Sequence, residues 1–281
     1  MCVRFLVFLL VIPEILSLVL LGAIQGITEY LPVSSTAHVL LFAKIFNINL
    51  STENFALMLI LLQTGTCLAS MCYFKSDIKI ILSGLLRLKP QGDLKSTHSG
   101  RHLLLLLITA MLPAVIIGLV FHSFSHSTST IILGSLFGSL MILFAEKYYS
   151  KHKIKKSTLT DLLFRDALLI GVFQIAALIP GVSRSLSTMI GGYFCNCSRS
   201  LAVHFSFLLG MCMSFAASIY EVVKYRSEIF SCNLSSMFFA VFVSFIIGLL
   251  SISVCLSFLK KHGLLIFALY RVLFVGLFLC I

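Results

Sequence analysis

The fold class the sequence predicts is an all-α polytopic integral membrane protein. It would have about six transmembrane helices and two re-entrant helix–loop–helix segments, arranged as an inverted repeat. Three observations carry this reading. Of the 281 residues, 59% are hydrophobic and only 11% charged, with a mean hydropathy of +1.08, which is too little charged surface for a soluble domain of this length. Apolar runs recur at the ~18 to 25 residues that suit a hydrocarbon core about 30 Å thick. Two breaks rich in Pro and Ser, far apart in the chain, share an order of residues.

Residues 1–14 read as an N-terminal extension, in which Arg4 precedes an apolar stretch like that of a signal peptide. No small-residue cleavage site follows, so the stretch is expected to be retained. The first repeat, 15–145, opens with a re-entrant segment at 15–46. It consists of an apolar arm, the break EYLPVSSTAH at Glu29–His38, and a short second arm at Val39–Phe46. Pro and Ser clusters break helices, and arms this short do not cross a membrane alone. Broken backbone at membrane depth is tolerated only where it is buried in protein or lines a wet cavity. Spans are expected at Phe55–Phe74, His102–Phe121 and Thr130–Ala145. A basic connector occupies 146–164. The second repeat, 165–281, has its own re-entrant segment at 165–195, with a second arm at Met189–Phe194, and spans at Leu201–Tyr220, Met237–Phe258 and Leu264–Ile281. The whole is one membrane domain.

The repeat shows in two stretches, GAIQGITEYLPVSS at Gly22–Ser35 and GVFQIAALIPGVSRS at Gly171–Ser185. Each begins G-x-x-Q, and nine residues after the Gln comes a Ser with a Pro shortly before it. Three spans between the breaks would turn the second over relative to the first, so the two loops can meet near the midplane. The formal charge of +11 would suggest a nucleic-acid partner in a soluble protein. Here fifteen of the 21 Lys and Arg fall on one side of the inferred topology and four on the other. Orientation by the positive-inside rule accounts for them, which makes the basic side cytoplasmic and leaves no nucleic-acid partner. The nine cysteines are scattered, and Cys195 and Cys197 lack the second pair a zinc site would need.

The chemistry is concentrated in the breaks. Ionisable side chains inside a membrane are costly and mark interiors or wet cavities. The first loop supplies Gln25, Glu29, Ser34, Ser35, Thr36 and His38; the second supplies Ser183, Arg184, Ser185, Ser187 and Thr188. Gln25 and Glu29 are four apart and share a helical face, offering oxygens suited to a hard cation, Mg²⁺ or Ca²⁺. Ser35 and His38 are three apart, so the pair is either an activated nucleophile or a helix cap with a neighbouring structural imidazole. Arg184 follows Pro180-Gly181 and begins a short helix, a setting that offers backbone amides and a planar fork to phosphate oxygens. Hydroxyls of Ser34, Ser183, Ser185 and Thr188 would complete that shell. A structural ion pair between Arg184 and Glu29 is the plainer alternative. Arg271, in the last apolar run, is a candidate partner for a carboxylate or a lipid phosphate.

Gln25-x-x-x-Glu29, the run LPVSST with His38, and PGVSRSLST from Pro180 to Thr188 together resemble the BacA-type undecaprenyl-diphosphate phosphatase family. QTGTCLASMCYFK at Gln63–Lys75, MLPAVIIGL at Met111–Leu119 and FSFLLG at Phe205–Gly210 support the likeness, which runs over roughly residues 15 to 281. Gln25, Ala37, Leu186, His204 and Cys212 depart from the residues usual in that family. The resemblance implies hydrolysis of undecaprenyl diphosphate to undecaprenyl phosphate and inorganic phosphate. That reaction recycles the lipid carrier of bacterial cell-wall (peptidoglycan) synthesis and confers bacitracin resistance. It also implies a divalent cation and a catalytic set of Glu29, His38 and Arg184, with Gln25 in the acidic motif and Ser35 beside it. The expected setting is the bacterial inner membrane, with a polyprenyl diphosphate as substrate and a homodimer left open. A polyprenyl-phosphate transporter is the alternative, because inverted repeats with broken midplane helices also serve transport; Glu29 and His38 would then couple protons.

Overall fold

A computed structural model describes residues 14–46, 48, 52–86, 94–120, 127–224 and 234–280. The N-terminal extension therefore lies outside the described residues, apart from its last position. Eleven helices are described. The first arm of the first break is α1 (Glu14–Thr28) and the second is α2 (Ser35–Ile45). Next come α3 (Thr52–Tyr73), α4 (Lys75–Leu85), α5 (Leu94–Val120) and α6 (Thr128–Lys151). After the connector, α7 (Phe164–Gln174) tightens into a 3₁₀ turn at Ile175–Leu178, and α8 (Arg184–Phe194) forms the second arm. The chain ends in α9 (Arg199–Lys224), α10 (Leu234–His262) and α11 (Leu265–Cys280). Among the described residues the only extended pairing is a single bridge between Lys156 and Cys197.

Four segments are long and apolar enough to cross a membrane: Gly100–Val120, Thr128–Lys151, Arg199–Lys224 and Met237–His262. They contain or overlap four of the expected spans, and the helix at Thr130–Ala145 proves longer than its apolar core. The span expected at Phe55–Phe74 is α3, which bends by 74° into α4, a helix the apolar pattern does not announce. The pair qualifies as a fifth span only when counted together. The sixth expected span is α11, of 16 residues, about 24 Å at 1.5 Å per residue, short of the ~30 Å core. Both second arms start earlier than their apolar runs, because the serines and threonines ahead of them already adopt helical backbone.

Close backbone contact explains the glycines that open the two related stretches. Both α1 and α3 lie along α10, and α7 lies along α5. A Cβ on Gly22 would meet the Ala240 carbonyl of α10, and one on Gly171 would meet the Ala110 carbonyl of α5. Gly26 continues the seam, with a Cβ there falling 2.9 Å from the backbone nitrogen of Gly248. Small residues at such crossings let helices approach in lipid, where no hydrophobic effect drives them together. Leu119, Leu133, Phe144, Val254 and Leu273 remain exposed on the outside, as lipid contact requires, while Gln25, His38, Gln174, Thr188 and Arg271 are buried within.

Charged groups knit the basic end together. The Glu146 carboxylate at the end of α6 accepts from Arg199 Nη2 at 2.7 Å and from the Leu264 amide at 2.6 Å. Lys156 in the connector donates to Asp166 of α7 at 2.7 Å and to the Cys195 carbonyl at 3.2 Å. Burial pushes the thiols of Cys195 and Cys197 up to about 12, so at neutral pH they pack as small apolar groups.

Candidate active site

Two serines mark the breaks. Ser34 and Ser183 hold φ of 72° and 74°, a region sparsely populated by side chains with a Cβ and costing about 1–3 kcal/mol each. Each immediately precedes the first residue of a second arm, and each carbonyl accepts the amide four residues on, from His38 and Ser187. The Ser183 hydroxyl accepts from the Leu186 amide at 3.4 Å, whereas Ser34 makes no such side-chain cap. Ser34 is thus left facing open space.

That space is a cavity of about 190 Å³, lined by Glu29, Ser34, Ser35 and Thr36 from the first break and by Pro180, Gly181, Ser183, Arg184 and Ser185 from the second. Gln63 of α3 completes the wall. The first-turn amides of α2 and α8 have no partner earlier in their own helices, and both turns border this cavity. Two helix N-termini, with their partial positive charge, therefore converge on one small volume.

Inside it Glu29 is the hub. Its Oε1 accepts from Arg184 Nη2 at 2.7 Å, and its Oε2 accepts from Ser35 Oγ at 2.7 Å and from Gln25 Nε2 at 3.0 Å. Arg184 is anchored on its other nitrogen, where Nη1 donates to the Gly210 carbonyl and to Ser214 Oγ, the latter at 3.1 Å. The ion pair between the two breaks is thus formed, with both partners also lining the cavity. Ser185 Oγ ties the breaks a second time, to the Leu31 carbonyl at 3.1 Å.

Two expectations are corrected. Ser35 and His38 do not pair: Ser35 turns to Glu29, while His38 Nδ1 lies 2.8 Å from the Ser34 carbonyl and Nε2 lies 2.7 Å from the Tyr270 hydroxyl. A carbonyl only accepts, so Nδ1 carries the proton and the neutral ring uses Nε2 to accept from Tyr270. The imidazole is stacked on Phe274 with ring centroids 4.1 Å apart, and it does not line the cavity. Ser35 is the first residue of α2, where its hydroxyl reaches back to Glu29 just past α1, whereas His38, nearly a turn further on, meets Tyr270 and Phe274 of α11. Thr188 is the second correction, since its hydroxyl bonds the Arg184 and Ser185 carbonyls and Ser206 Oγ, within the protein and away from the cavity.

Arg271, a candidate partner for a carboxylate or a lipid phosphate, meets no carboxylate among the described residues. It is 1% exposed, and its guanidinium donates to five carbonyls: Pro32 of the first break, Gly181 and Val182 of the second, and Gly134 and Ser135 of α6. One side chain therefore pins both broken loops to a third element. Its charge inside an apolar run was the only sign of this in the sequence. Gln63 and Tyr270 are further site neighbours to which the motifs gave no role; Gln63 opens the run QTGT, and Tyr270 precedes Arg271.

The class the fold and site define is an α-helical membrane protein in which two broken helices gather a carboxylate, a guanidinium and several hydroxyls around one cavity. Comparison with known proteins narrows the class. The chain belongs to the family described as bacitracin resistance protein BacA, which it matches over residues 18–278. Undecaprenyl-diphosphatase 1 of Chromobacterium violaceum is 35% identical over 91% of this chain and 92% of its own length. The undecaprenyl-diphosphatases of Tropheryma whipplei and Methanococcus aeolicus are 36% and 32% identical, over 95% and 93% of this chain and 98% and 96% of theirs.

Proposed function

We propose that this chain is an undecaprenyl-diphosphatase, releasing inorganic phosphate and undecaprenyl phosphate and so recycling the carrier for cell-wall synthesis, with the bacitracin resistance its family is named for. The observation that carries the reading is the Ser35–Glu29–Arg184 chain of hydrogen bonds spanning the two breaks beside the cavity. Family membership and the relatives' names support the substrate. The transporter alternative draws no comparable support. The setting proposed is the inner membrane, with the basic loops cytoplasmic and the two repeats, 15–145 and 165–281, oppositely oriented.

In this reading the diphosphate enters between the two helix N-termini and takes Arg184 Nη2 from Glu29. That frees a carboxylate already 2.7 Å from Ser35 Oγ to act as base. Ser35 Oγ attacks the terminal phosphorus as its proton passes to Glu29. The bond from that phosphorus to the bridging oxygen breaks, and undecaprenyl phosphate leaves. Water then cleaves the phosphoserine, releasing phosphate and restoring the hydroxyl. Arg184, Ser34, Ser183 and Ser185 bind the equatorial oxygens, where phosphoryl transfer needs charge neutralised. His38 and Thr188 act one layer behind, holding the Ser34 and Arg184–Ser185 backbones.

Among the described residues Glu29 is the only carboxylate lining the cavity. One carboxylate plus substrate phosphates is a common way to hold Mg²⁺, so Glu29 would hold Mg²⁺ or Ca²⁺ with the diphosphate. Gln25, read from the sequence as a second ligand, donates its amide to Glu29 from outside the cavity lining and would orient that carboxylate instead. The cation supplies further neutralisation of the phosphate charge.

The test is phosphate release from undecaprenyl diphosphate by detergent-solubilised protein. Wild type should turn over and lose activity in chelator, while Ser35→Ala should lose at least about a hundredfold, the scale of a missing group in direct contact with the reacting atoms. No release by wild type sinks the activity. Near-normal turnover by Ser35→Ala sinks the serine and leaves a Glu29-activated water as nucleophile.

A further inference from the structure

At the basic end, away from the cavity between the breaks, a groove of about 470 Å³ runs between the connector, α7 and the end of α8. Its head is polar and cationic: Lys156, Arg165 and Asp166. Its floor is apolar: Leu168, Leu169 and Val172 of α7, with Phe194 closing the far wall. Lys156 and Asp166 form a 2.7 Å ion pair, so their charges cancel locally. Arg165 is exposed and makes no hydrogen bond or ion pair among the described residues, which leaves one uncompensated positive charge at the groove head. Lys153 and Lys155 stand exposed on the adjoining strap. The Lys155 and Lys156 amides both bond the Asn196 carbonyl, which fixes this basic strap over the groove.

The apolar floor does not belong to the protein core. Leu168, Leu169 and Val172 are 49%, 38% and 48% exposed, and they follow directly from a helix start whose Leu163 and Phe164 are also exposed. In a membrane protein such an exposed apolar surface suits contact with hydrocarbon. A cationic head continuous with a hydrocarbon-facing floor is the complement of a lipid carrying a negative headgroup, and basic pockets at this level of helical membrane proteins are known to take such headgroups.

We propose that this groove binds an anionic glycerophospholipid of the leaflet on the basic side. The headgroup phosphate lies against Arg165 and the free amine proton of Lys156, and the upper part of one acyl chain lies along Leu168 and Val172. The bound lipid would brace the connector against α7, close to the start of the second re-entrant segment. The site is separate from the catalytic cavity and requires no catalytic residue.

Native mass spectrometry of the whole solubilised protein, titrated with phosphatidylglycerol or with phosphatidylcholine of the same acyl chains, tests it. Wild type should bind phosphatidylglycerol about tenfold more tightly, on the scale of one or two surface charges, and Arg165→Glu should abolish the preference. Lys79→Glu, an equal charge change at an exposed position on α4, should keep it. Leu168→Gln combined with Val172→Gln should weaken both lipids. An unchanged preference in Arg165→Glu, or equal losses in Arg165→Glu and Lys79→Glu, would overturn the site. Displacement of phosphatidylglycerol by inorganic phosphate would reduce it to a simple anion site and overturn the lipid assignment. Arg165→Gln serves in the same comparison where the reversal impairs insertion.

Discussion

Two hydroxyl–partner choices decide how the site reads at the level of single residues. Ser35 chooses Glu29, and the ring of His38 chooses a carbonyl and a phenol. A histidine fixed in this way holds the strained Ser34 backbone in place without exchanging protons with substrate. Tyr270→Phe removes the donor to Nε2 and should cost about 1 kcal/mol, the usual net worth of a hydrogen bond, seen as a several-fold loss of kcat. The pH profile of kcat/KM should keep its shape. A shifted limb in that variant would mean that His38 titrates during turnover, and the positioning role would fail. The residue types at the site were legible beforehand, since carboxylate, serine and arginine stand out against an apolar chain. Of the contacts among them, the Arg184–Glu29 ion pair was among the readings, whereas the bond from Ser35 to Glu29 was not. Spacing on a helix fixes a face, but the turn of α2 about its axis is set by α1 and α11, which no local pattern records.

Among the helices, the seam of α1 on α10 depends on missing side chains. Gly22 and Gly26 both bring backbone against backbone there, so Gly26→Val should separate α1 from α10 and displace Glu29, three residues on. Overpacking of a close contact costs on the order of 1–3 kcal/mol. Thermal unfolding of the solubilised variant should therefore begin several degrees lower, with activity falling further than stability. An unchanged melting curve would show that the helices part without penalty. The G-x-x-Q signature was readable as a repeat from the letters alone, but its cause, a glycine at each close crossing, needed the neighbouring helix. The bend between α3 and α4 falls where the expected span ends, at Phe74, but the helical state of Lys75–Leu85 was not readable, because Lys75, Asp77 and Lys79 interrupt the apolar run there. α11 differs in another way: a full crossing was expected at Leu264–Ile281, of which Leu265–Cys280 are described as helix.

For the whole molecule the testable statement is orientation. Lys153 in the connector and Ser127 ahead of α6 are both exposed, and one crossing helix separates them. With the native cysteines removed, Lys153→Cys should react with an impermeant reagent only from the cytoplasmic side, and Ser127→Cys only from the other. Reaction of both from one side would break the inverted arrangement, because α6 would no longer traverse the membrane. The division of Lys and Arg is what supports this orientation, since translocation leaves its record in loop charge. The meeting of the two breaks was inferred from counting crossings, and their joint cavity is what that count implies.

Arg271 gives the assembly a further property. Because a single guanidinium holds Pro32, Gly181, Val182 and α6 together, the two loops have one shared hinge point instead of two independent ones. A displacement that opens the first loop must either carry the second with it or break hydrogen bonds in a dry interior, where no water replaces them.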